Sequence, residues 1–228
     1  MGVAHLQDWI VWDVRTVIGL QGLRVTPHCG LWAGGLDLWE NVLMHMTNVL
    51  EIETRRELRD WLFSCCDSDS HAWAPILSGD PDELSYLAVV EETLCFGWID
   101  STKKRVGDVL YQRISPRRKG SNWTELNKER ARRLTALGLM TPRGEAALPD
   151  MSDDGFVICP AIMAAIQSDP ETAARFHELP PLYVRVRIDN IQSYPHGDET
   201  YVRRLEKFLA NTKQGVLYGD WNDKGRLL

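Results

Sequence analysis

A chain of 228 residues, 44% apolar and 25% charged, has the composition of a globular protein, long enough to bury a core without disulfide or metal staples. Its five cysteines, Cys29, Cys65, Cys66, Cys95 and Cys159, are odd in number and contain no CxxC pair, so neither a disulfide framework nor a zinc knuckle is signalled. No apolar run approaches the roughly 20 residues of a membrane helix and no basic leader precedes an apolar core, so the expected location is cytoplasmic, without membrane insertion.

The formal net charge is −6, unevenly spread. Residues 103–133 hold 11 Lys/Arg against 3 Asp/Glu, a local +8 on a remainder of −14. A basic island on an acidic body points to one anionic partner or to internal ion pairing. The acidic remainder repels a long polyanion, so nucleic acid is not an expected partner.

Residues 1–45 hold four of the nine Trp and the Gly-rich break Gly30-Leu31-Trp32-Ala33-Gly34-Gly35, without a sustained period of 3.6 or 2. With Met44 and Met46 at the onset of patterned sequence, they read as an N-terminal extension upstream of the native frame. From there the expectation is an α+β protein, predominantly helical with a small antiparallel sheet. Residues 46–150 form its core and 151–228 a helical C-terminal region with a docked tail.

Thr54 with Glu57 three residues on is a capping box that opens a helix ending near Cys65, with Leu58, Trp61 and Leu62 on one face. His71 to Leu77 alternates as a strand, and Pro75 places it at a sheet edge. Gly79-Asp80-Pro81-Asp82 is a turn. Ser85 caps a helix to Phe96, with Gly97 as its left-handed cap. Trp98 to Arg105 and Val109 to Ile114, joined by Gly107-Asp108, form a hairpin with Tyr111 and Arg113 on one face.

Pro116 to Gly120 is a basic loop. Asn122, with Glu125 at the third position, caps a helix to Leu137 that Gly138 closes. A helical wheel gathers Trp123, Leu126, Leu134 and Leu137 on one stripe, and Asn127 and Arg130 fall on it too. An Arg turned to a core face needs a partner, and Asp100, Glu91 or Glu92 are the candidates. Thr141-Pro142 opens a short helix, Asp150 to Pro160 is a loop, and Asp169-Pro170 starts a helix to His177. Pro180-Pro181 starts another, and an amphipathic pattern carries Asp198 to Gln214. The tail, Tyr218 to Arg226, is rich enough in aromatic and turn residues to dock.

The candidate site is the span Cys95 to Asn127. Arg113, Arg117, Arg118 and Lys119, backed by Trp98 and Trp123, offer planar forks and flat apolar walls for a phosphate or carboxylate. Ser121 and Asn122 at a helix N-terminus add donors, Asn127 and Arg130 extend the stripe, and Asp100 is the orienting carboxylate. The competing reading pairs these arginines with Glu91, Glu92 and Asp100, locking hairpin to helix. An enzymatic alternative gives Asp100 an acid/base role on a small anionic substrate. Cys95, in an apolar run at a helix C-terminus, reads as core rather than nucleophile. Neighbouring Cys65, Cys66, Asp67, Asp69 and His71 match no metal-ligand spacing, and no cofactor is expected.

From about Met46 onward the sequence resembles the YdeI/OmpD-associated, or bacteriocin-protection, family. The resemblance rests on Leu94-Cys95-Phe96-Gly97-Trp98-Ile99-Asp100, Gln112-Arg113-Ile114-Ser115-Pro116-Arg117-Arg118 and Ser121-x-Trp123 with Asn127. It extends to Gly138-x-Met140-Thr141-x-x-Gly144 and Tyr218-Gly219-x-Trp221-Asn222. It implies a bacterial protein tied to tolerance of bacteriocins or cationic antimicrobial peptides, with an outer-membrane porin as a possible partner, and it supplies no catalytic residues. The expected role is therefore an accessory binding protein with a small anionic ligand or a protein partner.

Overall fold

The computed structural model describes residues 46–77, 83–152 and 155–227, all within one compact unit spanning Val42–Leu228. The expected N-terminal extension and the turn at 79–82 lie outside the described residues. Eight helices and a three-stranded antiparallel sheet are described, an α+β architecture.

Helix α1 (Arg55–Cys65) begins at the capping box: Thr54 Oγ1 accepts from the Glu57 N–H, and the Glu57 carboxylate accepts from the Thr54 N–H. Strand β1 (Ala72–Ile76) follows, then α2 (Tyr86–Cys95), capped by Ser85. Gly97 (φ +70°) ends α2, and a side chain there would meet the Ala147 Cβ at 3.0 Å. The chain turns directly into β2 (Trp98–Val106) and β3 (Val109–Pro116). The sheet order β1-β3-β2 puts β3 in the middle and β1, with Pro75, at an edge. Tyr111 and Arg113 share a face while Gln112 and Ile114 are buried on the other.

Helix α3 (Glu125–Ala136) is capped two residues later than the sequence predicts. Thr124, not Asn122, has extended backbone and accepts from the Asn127 N–H. Ser121, Asn122 and Thr124 are all capping residues, and burial of Trp123 ahead of the helix decides among them. The shift also changes the stripe: Trp123 precedes the helix, Leu137 is 54% exposed, and Ala131 and Leu134 are the buried apolar residues.

Short helix α4 (Pro142–Ala146) packs hard on the end of α2. The Thr141 hydroxyl and N–H both donate to the Cys95 carbonyl, at 2.6 and 3.0 Å. A side chain on Gly144 would stand 2.2 Å from that same oxygen, so only glycine fits.

The C-terminal part holds α5 (Pro160–Gln167), α6 (Pro170–Phe176), α7 (Pro181–Gln192) and α8 (Glu199–Lys213). Helix α5 has no counterpart in the sequence reading, although Pro160 at its first turn with Ile162 and Ile166 four apart is a helix signal.

Two large apolar cores result. One gathers Leu58, Leu62, Val89, Leu94, Trp98, Ile114 and Leu134, the other Ile162, Ile166, Tyr183, Ile188, Phe208 and Trp221. Helix α3 walls both, with Leu134 in the first and Leu126 against the second. In the tail, Trp221, Asp223 and Leu227 are buried.

Candidate functional site

The site the sequence points to is dispersed by the fold. Trp98 is fully buried in the first core, edge-to-face with Trp61 at 5.6 Å, and so forms no ligand-facing wall. Asp100 stands opposite Ile114 in the ladder and shares its face, whereas Arg113 stands opposite Trp73 on the other face. Arg113 is therefore separated from Asp100 by the sheet. Arg118 is exposed on the basic loop.

Other members converge. The Tyr86 hydroxyl donates to Asp100 at 3.0 Å, and burial together with that carboxylate pushes the phenol up to about 12. The Lys103 ammonium lies over the Tyr86 ring at 3.7 Å. Arg117 stacks on Trp123 at 3.9 Å, a cation–π contact, and its Nη1 donates to the Asn122 carbonyl at 2.9 Å and the Ser121 hydroxyl at 3.4 Å. The oxygens of Ser121 and Asn122 thus hold the arginine, where donors to an anion were expected. The Nε and Nη2 of Arg117 are buried without a hydrogen-bond partner. Burial lowers its pKa, and the field of Asp100 only partly offsets this. Nε and Nη2 together are one edge of the guanidinium fork, the edge suited to bidentate contact with an oxyanion.

Arg130 has a partner no sequence argument named. Its Nε and Nη2 grip both oxygens of Asp223 at 2.8 and 2.7 Å, and Nη1 donates to Asn127 Oδ1 at 2.9 Å. Asp223 comes from the docked tail with φ +49°, followed by Lys224 at +57°, so two successive left-handed residues aim its carboxylate inward. Burial pulls the Arg130 guanidinium down and the Asp223 carboxylate outweighs it, for a net upward shift.

Glu91 and Glu92, offered as partners for the island, are held mainly from elsewhere. Arg55 bridges both at 2.6 Å, Arg59 holds Glu92 at 2.8 Å, and from the island only Arg133 reaches Glu91, at 3.0 Å. The remaining charges of α3 pair as well: Lys128 with Glu125, Arg132 with Glu129, and Arg185 of α7 with Glu129. Internal pairing therefore absorbs most of the helical part of the island.

Cys95 is fully buried, and its thiol is pushed up to about 11 by burial and then by Glu92, which makes it a core residue rather than a nucleophile. Among the described residues no group of His, Cys, Asp and Glu is arranged to hold a metal ion. No helix among them is long and apolar enough to cross a membrane.

Comparison with known proteins divides the chain as the two cores do. Residues 156–215, covering α5 to α8, match the family model described as Bacteriocin-protection, YdeI or OmpD-Associated. Residues 50–147 match a model described as Domain of unknown function (DUF8412). The family likeness is thus carried by the C-terminal helices, while the GWID and PRR motifs fall in the other segment. No curated protein and no solved structure matches the chain at a significant level.

Proposed function

We propose that the chain is an intracellular accessory binding protein in tolerance of cationic antimicrobial peptides or envelope stress, acting by holding a small anionic ligand or an acidic partner segment at Arg117. The family match over residues 156–215 supports the general role.

The observation that carries the site is the unused edge of Arg117. Its island neighbours Arg130, Arg132 and Arg133 each grip a carboxylate, whereas among the described residues none lies within ion-pair distance of Arg117. Arg117 is half-buried, and buried donors left without an acceptor cost about 1–3 kcal/mol, so an acceptor that occupies Nε and Nη2 is favoured. Trp123 holds the fork flat, Asp100 sets its field, and the Tyr86 hydroxyl holds Asp100. A phosphate or carboxylate supplies the two acceptors that the fork lacks.

The test is a thermal-shift screen of the wild-type chain and Arg117→Ala against phosphorylated metabolites, nucleotides, acidic sugars and lipid headgroups. A bound class present at 100 times its dissociation constant stabilises the wild type by about 2.7 kcal/mol and leaves Arg117→Ala unmoved. Equal shifts in both proteins, or no shift in either, refute the assignment.

A further inference from the structure

A cavity lies away from Arg117, where the N-termini of α1 and α2 meet. It measures about 790 Å³, within the range of small-molecule sites, and is lined by Thr54 to Glu57, Arg59, Glu83, Ser85, Ala88, Glu92, Leu139 and Arg226. We infer that this cavity binds a small molecule carrying at least two negative charges, a phosphorylated or polycarboxylate metabolite, distinct from the ligand of Arg117.

Three independent features select an anion. The first is a surplus of one guanidinium group along the wall, Arg55, Arg56, Arg59 and Arg226 against Glu57, Glu83 and Glu92. Four arginines, Arg55, Arg59, Arg133 and Arg226, surround two buried carboxylates, Glu91 and Glu92. Both Glu92 oxygens are taken by Arg55 and Arg59, and Arg133 reaches Glu91 at 3.0 Å. Arg226 stands 3.8 Å from Glu91, too far for a hydrogen bond, and is half exposed on the cavity wall. Arg56 lines the same wall from an exposed position.

The second feature is that acidic wall residues are already engaged. Glu57 spends its carboxylate on the N–H groups of Glu53 and Thr54, which lower its pKa and make it part of the helix cap. The third is the backbone. The first turns of an 11-residue and a 10-residue helix both border the cavity, joined by the Thr54–Glu83 bridge, and helix N-termini favour negative charge. A neutral or cationic ligand uses none of these.

Arg55 adds a polar atom in want of a partner, since its Nη2 is buried and unbonded beside the two glutamates. Arg226 belongs to the docked tail, so the tail completes the wall that α1 and α2 begin.

The experiment is titration calorimetry on the full chain with pyrophosphate and with citrate, using wild type, Arg56→Ala/Arg226→Ala and Arg117→Ala. Both substituted residues of the double variant are exposed, and Arg226 stands 3.8 Å from Glu91, beyond hydrogen-bond reach, so the fold persists; circular dichroism verifies this. Expected is one saturable site per chain for at least one of the two anions, weakened tenfold or more in the double variant and unchanged in Arg117→Ala. Whichever anion binds tells phosphate from carboxylate preference. Absence of saturable binding of both anions overturns the inference. So does binding unaffected by the double substitution, and binding abolished by Arg117→Ala moves the site to Arg117.

Discussion

Replacing Asp223 removes the only carboxylate among the described residues that Arg130 touches. The side chains of the pair are 10% and 3% exposed, and two hydrogen bonds of 2.8 and 2.7 Å join them, so solvent screens little. Breaking one half of a buried ion pair costs about 3–5 kcal/mol, because the other charge stays buried and uncompensated. Alanine at φ +49° adds about 1 kcal/mol that aspartate and asparagine largely escape, so Asp223→Ala is expected to lose about 4–6 kcal/mol and Asp223→Asn about 3–5. With a urea slope of about 3 kcal/mol/M, Asp223→Ala lowers the midpoint by about 1.5 M. The assay is urea unfolding followed by circular dichroism on wild type, Asp223→Asn, Arg130→Met and the double variant. The double variant is expected to lose at least 2 kcal/mol less than the summed single losses, since no lone charge remains buried. Single losses under about 1 kcal/mol that simply add refute the reasoning and make the tail an ornament rather than a clamp.

Two further outcomes follow from local geometry. Gly144→Ala forces a methyl to 2.2 Å from the Cys95 carbonyl oxygen and is expected to cost at least about 3 kcal/mol, whereas Gly107→Ala, with φ +57° and open space around it, costs about 1; thermal denaturation ranks them. Asp169 caps α6, and hydrogen bonds from the Thr172 hydroxyl and N–H, then from Lys213, hold its carboxyl below the usual 3.8. A folded value below the unfolded one stabilises fully above about pH 4 and is lost as pH falls through the folded value, so the gap between wild type and Asp169→Asn closes from pH 7 to pH 3 in denaturation midpoints.

Local grammar was legible in this chain. The Thr54–Glu57 box, Ser85, the Gly97 cap and the Gly107-Asp108 hairpin all stand where residue chemistry puts them, because each is decided within four residues. Pairings across long separations were not. Arg130 meets Asp223 93 residues away, and Arg55 takes the glutamates that nearer arginines were expected to hold. No periodicity encodes such choices; they depend on which element arrives in the tertiary fold.

The candidate site shows the same limit. Clustering in sequence suggested that Trp98, Asp100, Arg113 and Arg117 act together. Alternation in β2 and β3 instead sends Arg113 to the face opposite Asp100, and core packing claims Trp98. Gly97, Gly144 and Thr141 govern the α2–α4 junction, which is architecture rather than recognition.

The three-stranded sheet is guarded at both margins. The outward N–H and C=O of Trp73 are taken by Asn48 and Leu50, and the next outward position of β1 is Pro75, which has no N–H to offer. The opposite border, β2, breaks register between Asp100 and Lys103 and presents Lys103, Lys104 and Arg105. Among the described residues, neither margin of the sheet offers an incoming strand an unbroken row of free backbone groups, so the sheet ends at three strands.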